Sequence, residues 1–167
     1  AAVPADEQKY IGRLLPANYT EPSVGAPVTY SSAVNMTPVT AEQGKTSTTL
    51  AVGDIVAGKI TSFTYTKADG TPVPMIAYVK PSGKLFVGVS YCIPCKGTVQ
   101  TIDADGTLRC ASCGTKRDLE TGVGISGACR LYPLDELPTQ VSGDRITIQN
   151  SVIDGWTAQP LDRQVGA

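Results

Sequence analysis

The residues of this chain best able to do chemistry are its five cysteines, which all lie between positions 92 and 129. Two C-x-x-C pairs, Cys92 with Cys95 and Cys110 with Cys113, are followed by a single Cys129. A C-x-x-C turn places two sulfur atoms on one side of a tight loop, and two such turns can supply four thiolates to one centre. We therefore predict a metal centre with Cys92, Cys95, Cys110 and Cys113 as its ligands.

Four thiolates suit either a zinc ion or an iron–sulfur cluster, and they disfavour calcium and magnesium. The sequence has no histidine, which excludes mixed Cys/His ligation and any mechanism that uses imidazole as a base. Disulfides within or between the two turns are the alternative to a bound metal, and they would leave one cysteine over. Cys129 is open to three interpretations: an additional ligand, a thiol just outside the ligand shell, or a small buried residue.

Composition limits the classes of function. The chain has 167 residues, of which 41% are hydrophobic, enough for one domain with an appended segment. Its 14 basic and 15 acidic residues nearly cancel, so we expect no nucleic acid partner. Apolar runs are only a few residues long, so we expect no membrane span in the mature chain. No nucleophile–base pair or phosphate-binding loop is evident, so we do not expect an enzyme.

Two features favour export. The sequence begins with Ala-Ala-Val and no Met, as expected after cleavage by a signal peptidase. Asn18 and Asn35 each begin an N-x-Thr sequon and are candidate glycosylation sites. We therefore expect a secreted, cell-surface or periplasmic protein.

The elements that must position the cysteines are mostly strands. Residues 4–15 have the apolar spacing of one amphipathic helix, and residues 17–43 are rich in Pro, Thr and Ser and predict an extended arm. From residue 46 onward, alternating residues and Gly-containing turns predict a series of antiparallel strands at 46–52, 55–66, 73–80, 84–90, 99–102, 107–109, 137–141, 145–149 and 152–157. Such even spacing indicates a β-barrel or sandwich.

Residues 85–148 resemble a Rieske domain. The resemblance is carried by VGVS at 87–90 before the first cysteine turn, DGTLRC at 105–110 entering the second, and GDRITI at 143–148 in the closing strands. It implies a Rieske-like antiparallel β fold with a two-iron two-sulfur cluster, in which each turn carries one Cys and one His. Here the His positions fall at or beside Cys95 and at Cys113, so four thiolates would hold a ferredoxin-like cluster or zinc.

Residues 52–148 are still more similar to a family of poorly characterised, exported or membrane-attached bacterial and archaeal proteins, some linked to ferrous-iron uptake. The shared features are ITSFTY at 60–65, the two C-x-x-C turns and GAC at 127–129. We accordingly divide the chain into an N-terminal helix and extended arm (1–51), a Rieske-like β domain with the cysteine cluster (52–150), and a C-terminal strand and tail (151–167).

Two functions are compatible with these features. The first is a redox or metal-handling module that serves a redox partner protein, with exposed basic residues offsetting the thiolate charge; the candidates are Lys96, Arg109, Lys116 and Arg130. The second is a structural subunit of an extracellular filament, a homopolymer in which the cysteines only stabilise the fold. In that case segment 46–52 or the arm would add a strand to a neighbouring subunit.

Overall fold

The computed structural model describes residues 11–159, which form thirteen strands and two short helices. In chain order these are β1 (Val34–Asn35), β2 (Thr37–Pro38), β3 (Glu42–Gln43), β4 (Ser47–Ala51), α1 (Val52–Gly58), β5 (Ile60–Thr66), β6 (Pro72–Val79), β7 (Leu85–Val89), β8 (Gln100–Ile102), β9 (Thr107–Cys110), β10 (Lys116–Asp118), β11 (Gly124–Ser126), β12 (Gln140–Ser142), β13 (Arg145–Gln149) and α2 (Asn150–Asp154).

The strands form three sheets, with the orders β2-β5-β6-β7, β12-β13-β4-β3 and β1-β8-β9-β10-β11. The first of these is central, because side chains alternate along a strand and its two faces fill two different cores. In β6, Met75 and Ala77 pack with Ile146 of β13 in one core. Ile76 and Tyr78 of the same strand pack in the other core, with Ile102 of β8 and Leu108 of β9.

The prediction of a mainly β fold is confirmed, and of the two architectures predicted, barrel or sandwich, residues 11–159 form no closed barrel. Among residues 11–159 the strands form three open sheets that stack on one another. The alternation of β-branched residues predicts strands well, but it does not determine whether a sheet closes on itself, since closure depends on strand tilt and stagger.

Two predicted strands are partly helical. The strand at 55–66 begins only at Ile60, because residues 52–58 form α1. Asp144, from the distant β12–β13 hairpin, stabilises the start of α1: its backbone oxygen accepts the N–H of Val52 at 2.8 Å, and its Oδ1 accepts the N–H of Gly53 at 3.1 Å. In the strand predicted at 152–157, residues 152–154 belong to α2, which buries Ile153, and residues 155–157 form a turn and irregular chain.

Of the N-terminal helix predicted at 4–15, residues 4–10 lie outside the described residues, and residues 11–15 form turns rather than a helix. The extended arm pairs with all three sheets of its own chain: β1 with β8, β2 in parallel with β5, and β3 with β4. Strand β4 lies between β13 and β3, so both of its edges are paired within the chain. No helix within residues 11–159 has the length and apolar character needed to cross a membrane.

Candidate metal centre

The two C-x-x-C turns have the same backbone closure. In the first, which follows β7, the N–H of Lys96 donates to the carbonyl of Cys92 at 2.6 Å. In the second, which follows β9, the N–H of Gly114 donates to the carbonyl of Cys110 at 2.9 Å. Lys96 and Gly114 both have positive φ, at 62° and 74°, which turns the chain away after each cysteine pair. In addition, the N–H of Gly97 donates to Cys95 Sγ at 3.3 Å, as expected of a loop that surrounds thiolates.

The third contribution comes from the loop after β11. Gly127 has φ +104°, and a Cβ at this position would lie 2.6 Å from Thr115 Cα, so only glycine allows this approach. The approach is held by a hydrogen bond from the N–H of Cys129 to Thr115 Oγ1 at 3.0 Å. This contact brings Cys129 beside the second turn.

All five sulfur atoms meet in one cluster. The Sγ atoms of Cys92, Cys95, Cys113 and Cys129 lie within 4.8 Å of one another. Cys113 Sγ is 3.9 Å from Cys92 Sγ and 3.5 Å from Cys129 Sγ. Four sulfurs that each lie about 2.3 Å from one tetrahedral ion would be about 3.8 Å apart. The donor set therefore fits a thiolate-bound zinc or iron–sulfur centre, and its softness excludes calcium and magnesium.

The structure places every cysteine singled out in the sequence in or beside this set. Cys92, Cys95 and Cys113 belong to it together with Cys129. Cys110 is fully buried beside the set, with its Sγ 3.7 Å from Cys95 Sγ. All five are free thiols, and three of them, Cys92, Cys110 and Cys129, are buried.

Burial controls the protonation of these thiols when no metal is bound. It raises the pKa of Cys92 and of Cys95 to about 12 and that of Cys129 to about 11. Burial alone would also raise the pKa of Cys113, but hydrogen bonds with the side chain and backbone of Thr115 lower it to about 6. A metal ion must therefore displace protons from most of its ligands.

Arg117 is a residue of the centre that the sequence analysis missed. It lies in β10 and is completely buried, and its Nη2 is 3.4 Å from Cys92 Sγ. The sequence does contain a feature that could have identified it: in the strand sequence KRD of β10, side chains alternate, so Arg117 lies on the face opposite Lys116. Lys116 instead forms ion pairs with Asp103 and Asp105 at the surface.

Most of the other predicted site residues are exposed. Asn18 and Asn35 are both exposed, and Asn35 belongs to β1 at the edge of its sheet. Lys96 and Arg130 are also exposed, whereas Arg109 is partly buried in β9.

Comparison with known proteins identifies a family that this chain matches. The model of the family described as membrane iron-sulfur containing protein FtrD-like matches residues 55–159. The matched segment contains all five cysteines and Arg117. It agrees with the expected similarity to membrane-attached, Cys-rich proteins, whereas the Rieske-like fold is not confirmed. No curated protein matches the chain.

Proposed function

This chain belongs to the FtrD-like family of membrane iron-sulfur proteins, and from that premise we propose that it is an electron-transfer module with an iron–sulfur centre. The observation that carries the proposal is the convergence of four cysteine Sγ atoms to within 4.8 Å of one another. An iron–sulfur centre supplies a one-electron couple whose potential depends on hydrogen bonds, charge and solvent exposure around the sulfurs.

We assign the ligands as Cys92, Cys95, Cys113 and Cys129. The four come from three separate loops that the central and five-stranded sheets bring together, so the folded scaffold determines their geometry. Cys92 and Cys129 are buried, whereas Cys95 and Cys113 are partly exposed. The centre is thus shielded on one side and close to the surface on the other, as exchange of electrons with a partner protein requires.

A second candidate is a structural zinc site. It is favoured by the Sγ–Sγ distances of 3.5 and 3.9 Å around Cys113, which resemble the separation of about 3.8 Å expected around one tetrahedral ion. A zinc ion would stabilise the loops without any redox role.

Metal and sulfide analysis of anaerobically purified protein separates the two candidates. We expect iron and acid-labile sulfide, with a broad visible absorption that bleaches on addition of dithionite. A paired Cys92→Ser and Cys113→Ser variant is the control and should lose this absorption. A colourless protein with one zinc ion per chain would refute the electron-transfer proposal and leave the structural site.

We also infer that the protein works outside the cytoplasm. Support comes from the exposure of both sequons, at Asn18 and Asn35, which leaves them open to modification. Fractionation of the native cells tests this inference, and recovery of the protein in the cytoplasmic fraction would contradict it.

A further inference from the structure

Among residues 11–159, Arg117 is the largest of the fully buried side chains and the only charged one. Its Nε and Nη2 donate to the carbonyl of Tyr132 at 3.1 and 2.6 Å. Nη2 also lies 3.4 Å from the carbonyl of Cys129 and 3.4 Å from Cys92 Sγ. Within residues 11–159, Nη1 has no hydrogen-bond partner, and no carboxylate forms an ion pair with this guanidinium.

A buried guanidinium is strongly unfavourable unless a negative charge lies nearby. The backbone carbonyls around Arg117 are neutral, so within the described part of the chain the cysteine cluster is the only group in contact with it that can become anionic. Neutral thiols or disulfides would leave its charge uncompensated. Four thiolates around a divalent ion, in contrast, carry a net negative charge that the guanidinium offsets.

We propose that Arg117 is the fixed counter-charge of the cysteine centre and that it raises the reduction potential of that centre. The second half of this proposal rests on the proposed electron-transfer function. One electron from an external reductant adds one negative charge and breaks no bond, so a nearby positive charge favours the reduced state. Because Arg117 is completely buried, water screens this interaction less than it would at the surface.

The test compares Arg117→Gln and Arg117→Lys with a matched control, Arg130→Gln. Arg130 is also close in sequence to a ligand, Cys129, but it is exposed and its Nη1 donates to the Gly127 carbonyl at 3.0 Å. Removal of a charge at this surface position should have little effect. The readout is a spectroelectrochemical titration of protein whose iron and sulfide contents have been measured.

At a fixed potential we expect Arg117→Gln to reduce the ratio of reduced to oxidised centre about tenfold, which corresponds to about 59 mV for one electron. Arg117→Lys keeps the charge and should stay close to the unmodified protein, as should Arg130→Gln. An Arg117→Gln protein with full iron content and an unchanged ratio would overturn the proposal. If Arg117→Gln loses the centre, retention by Arg117→Lys supports the counter-charge, and equal loss in both variants contradicts it.

Iron and sulfide analysis of the unmodified protein shows separately whether the electron-transfer function fails. If the protein binds zinc instead, the counter-charge is tested by zinc affinity in competition with a chelator. We then expect about tenfold weaker binding in Arg117→Gln than in Arg130→Gln. Equal zinc affinities would overturn the counter-charge as well.

Discussion

At the scale of single residues, the difference in pKa among the thiols governs how the centre forms. Cys113 is predisposed to be a thiolate by its contacts with Thr115, whereas burial keeps Cys92, Cys95 and Cys129 protonated. Cys113 is therefore the natural first ligand for an incoming ion, and the later ligands must each lose a proton.

The first prediction is that metal binding releases about three protons near neutral pH. Three of the four proposed ligands, Cys92, Cys95 and Cys129, have pKa values of about 12, 12 and 11, and the fourth, Cys113, has a pKa of about 6. Affinity for Zn²⁺ should therefore fall about a thousandfold for each pH unit between about pH 8 and 7. Calorimetry of metal-free protein in buffers of different ionisation enthalpy measures the number of protons. Release of one proton or fewer would contradict the protonation states described here.

The second prediction tests whether the fourth ligand is Cys129 or Cys110. Cys129→Ser should lower metal affinity at least about tenfold, because an uncharged hydroxyl replaces a thiolate. Cys110→Ser is the matched control, since Cys110 lies beside the four-thiol set, and it should retain the metal stoichiometry. Metal content and thermal midpoints of both variants provide the measurement. Loss of metal from Cys110→Ser with retention by Cys129→Ser would instead support the ligand set that the C-x-x-C spacing predicts.

At the scale of elements, the two cysteine turns pack against each other through a glycine. A Cβ on Gly97 would lie 2.7 Å from Ser112 Oγ and 3.0 Å from Cys110 Sγ, so any larger residue would push the second turn away from the first. The separation between the turns is thus set by one residue without a side chain.

The third prediction is that Gly97→Ala destabilises the protein by about 1–3 kcal/mol and weakens metal binding, because the added methyl group overpacks the contact between the turns. Gly25→Ala is the control, since no atom lies within 4 Å of the Cβ position at Gly25. Denaturant unfolding and metal titration of both variants test the prediction. Equal stability of the two variants would show that the turns are not closely packed.

A group of three titratable residues, of which Lys80 is buried and Glu21 and Glu136 are partly buried, attaches the arm to the central sheet. Glu21 of the arm forms an ion pair with Lys80 at 2.5 Å. Burial and the nearby Glu21 carboxyl raise the pKa of Glu136 to about 9. Because this pKa is higher in the folded than in the unfolded state, protonation of Glu136 favours folding. The contribution of Glu136 to the free energy of unfolding is complete below about pH 4.5 and is lost as the pH rises through about 9.

The fourth prediction follows from the direction of this pKa shift. Glu136→Gln stays neutral at every pH, so its thermal midpoint should exceed that of the unmodified protein at about pH 9 and converge with it at about pH 5. The difference between the two proteins isolates Glu136 from the other groups that titrate in this range. A difference that does not change with pH would show that the carboxyl has an ordinary pKa.

At the scale of the whole molecule, the arm joins all three sheets. Strands β1, β2 and β3 pair with β8, β5 and β4, so the arm covers three strand edges that would otherwise be open. This wrapping accounts for the extended, proline-rich composition of the arm, since such a segment gains its order from the strands that it pairs with.

The fifth prediction concerns loss of this arm. Deletion of residues 1–43 should lower the thermal midpoint by several degrees, because it exposes strand edges and uncovers core residues. Sedimentation velocity and negative-stain microscopy of both forms test the alternative predicted from the sequence, a homopolymer built by strand addition. Filaments that the deletion abolishes would support the homopolymer, whereas a monomer at every concentration would exclude it.

The features of the fold that depend only on residues close together in the sequence could be predicted from the sequence. Hairpin turns fall where the dipeptides at 69–70, 82–83, 105–106 and 142–143 predict them, and each glycine there has positive φ. Both C-x-x-C turns close as their spacing predicts, since such a loop needs only its own backbone. The mainly β class follows from alternation along each strand.

Only the tertiary structure decided how these pieces act together. Cys129 joins the centre because Gly127 approaches Thr115, a contact between loops that are distant from each other in sequence. Residues 52–58 become α1 because the hairpin that carries Asp144 packs beside them. By residue type alone nothing distinguishes Arg117 from the basic residues near it, and only the packing of the sheets shows that it is buried. Burial and long-range pairing depend on which surfaces meet when the chain folds, whereas the sequence by itself determines only what each segment can do locally.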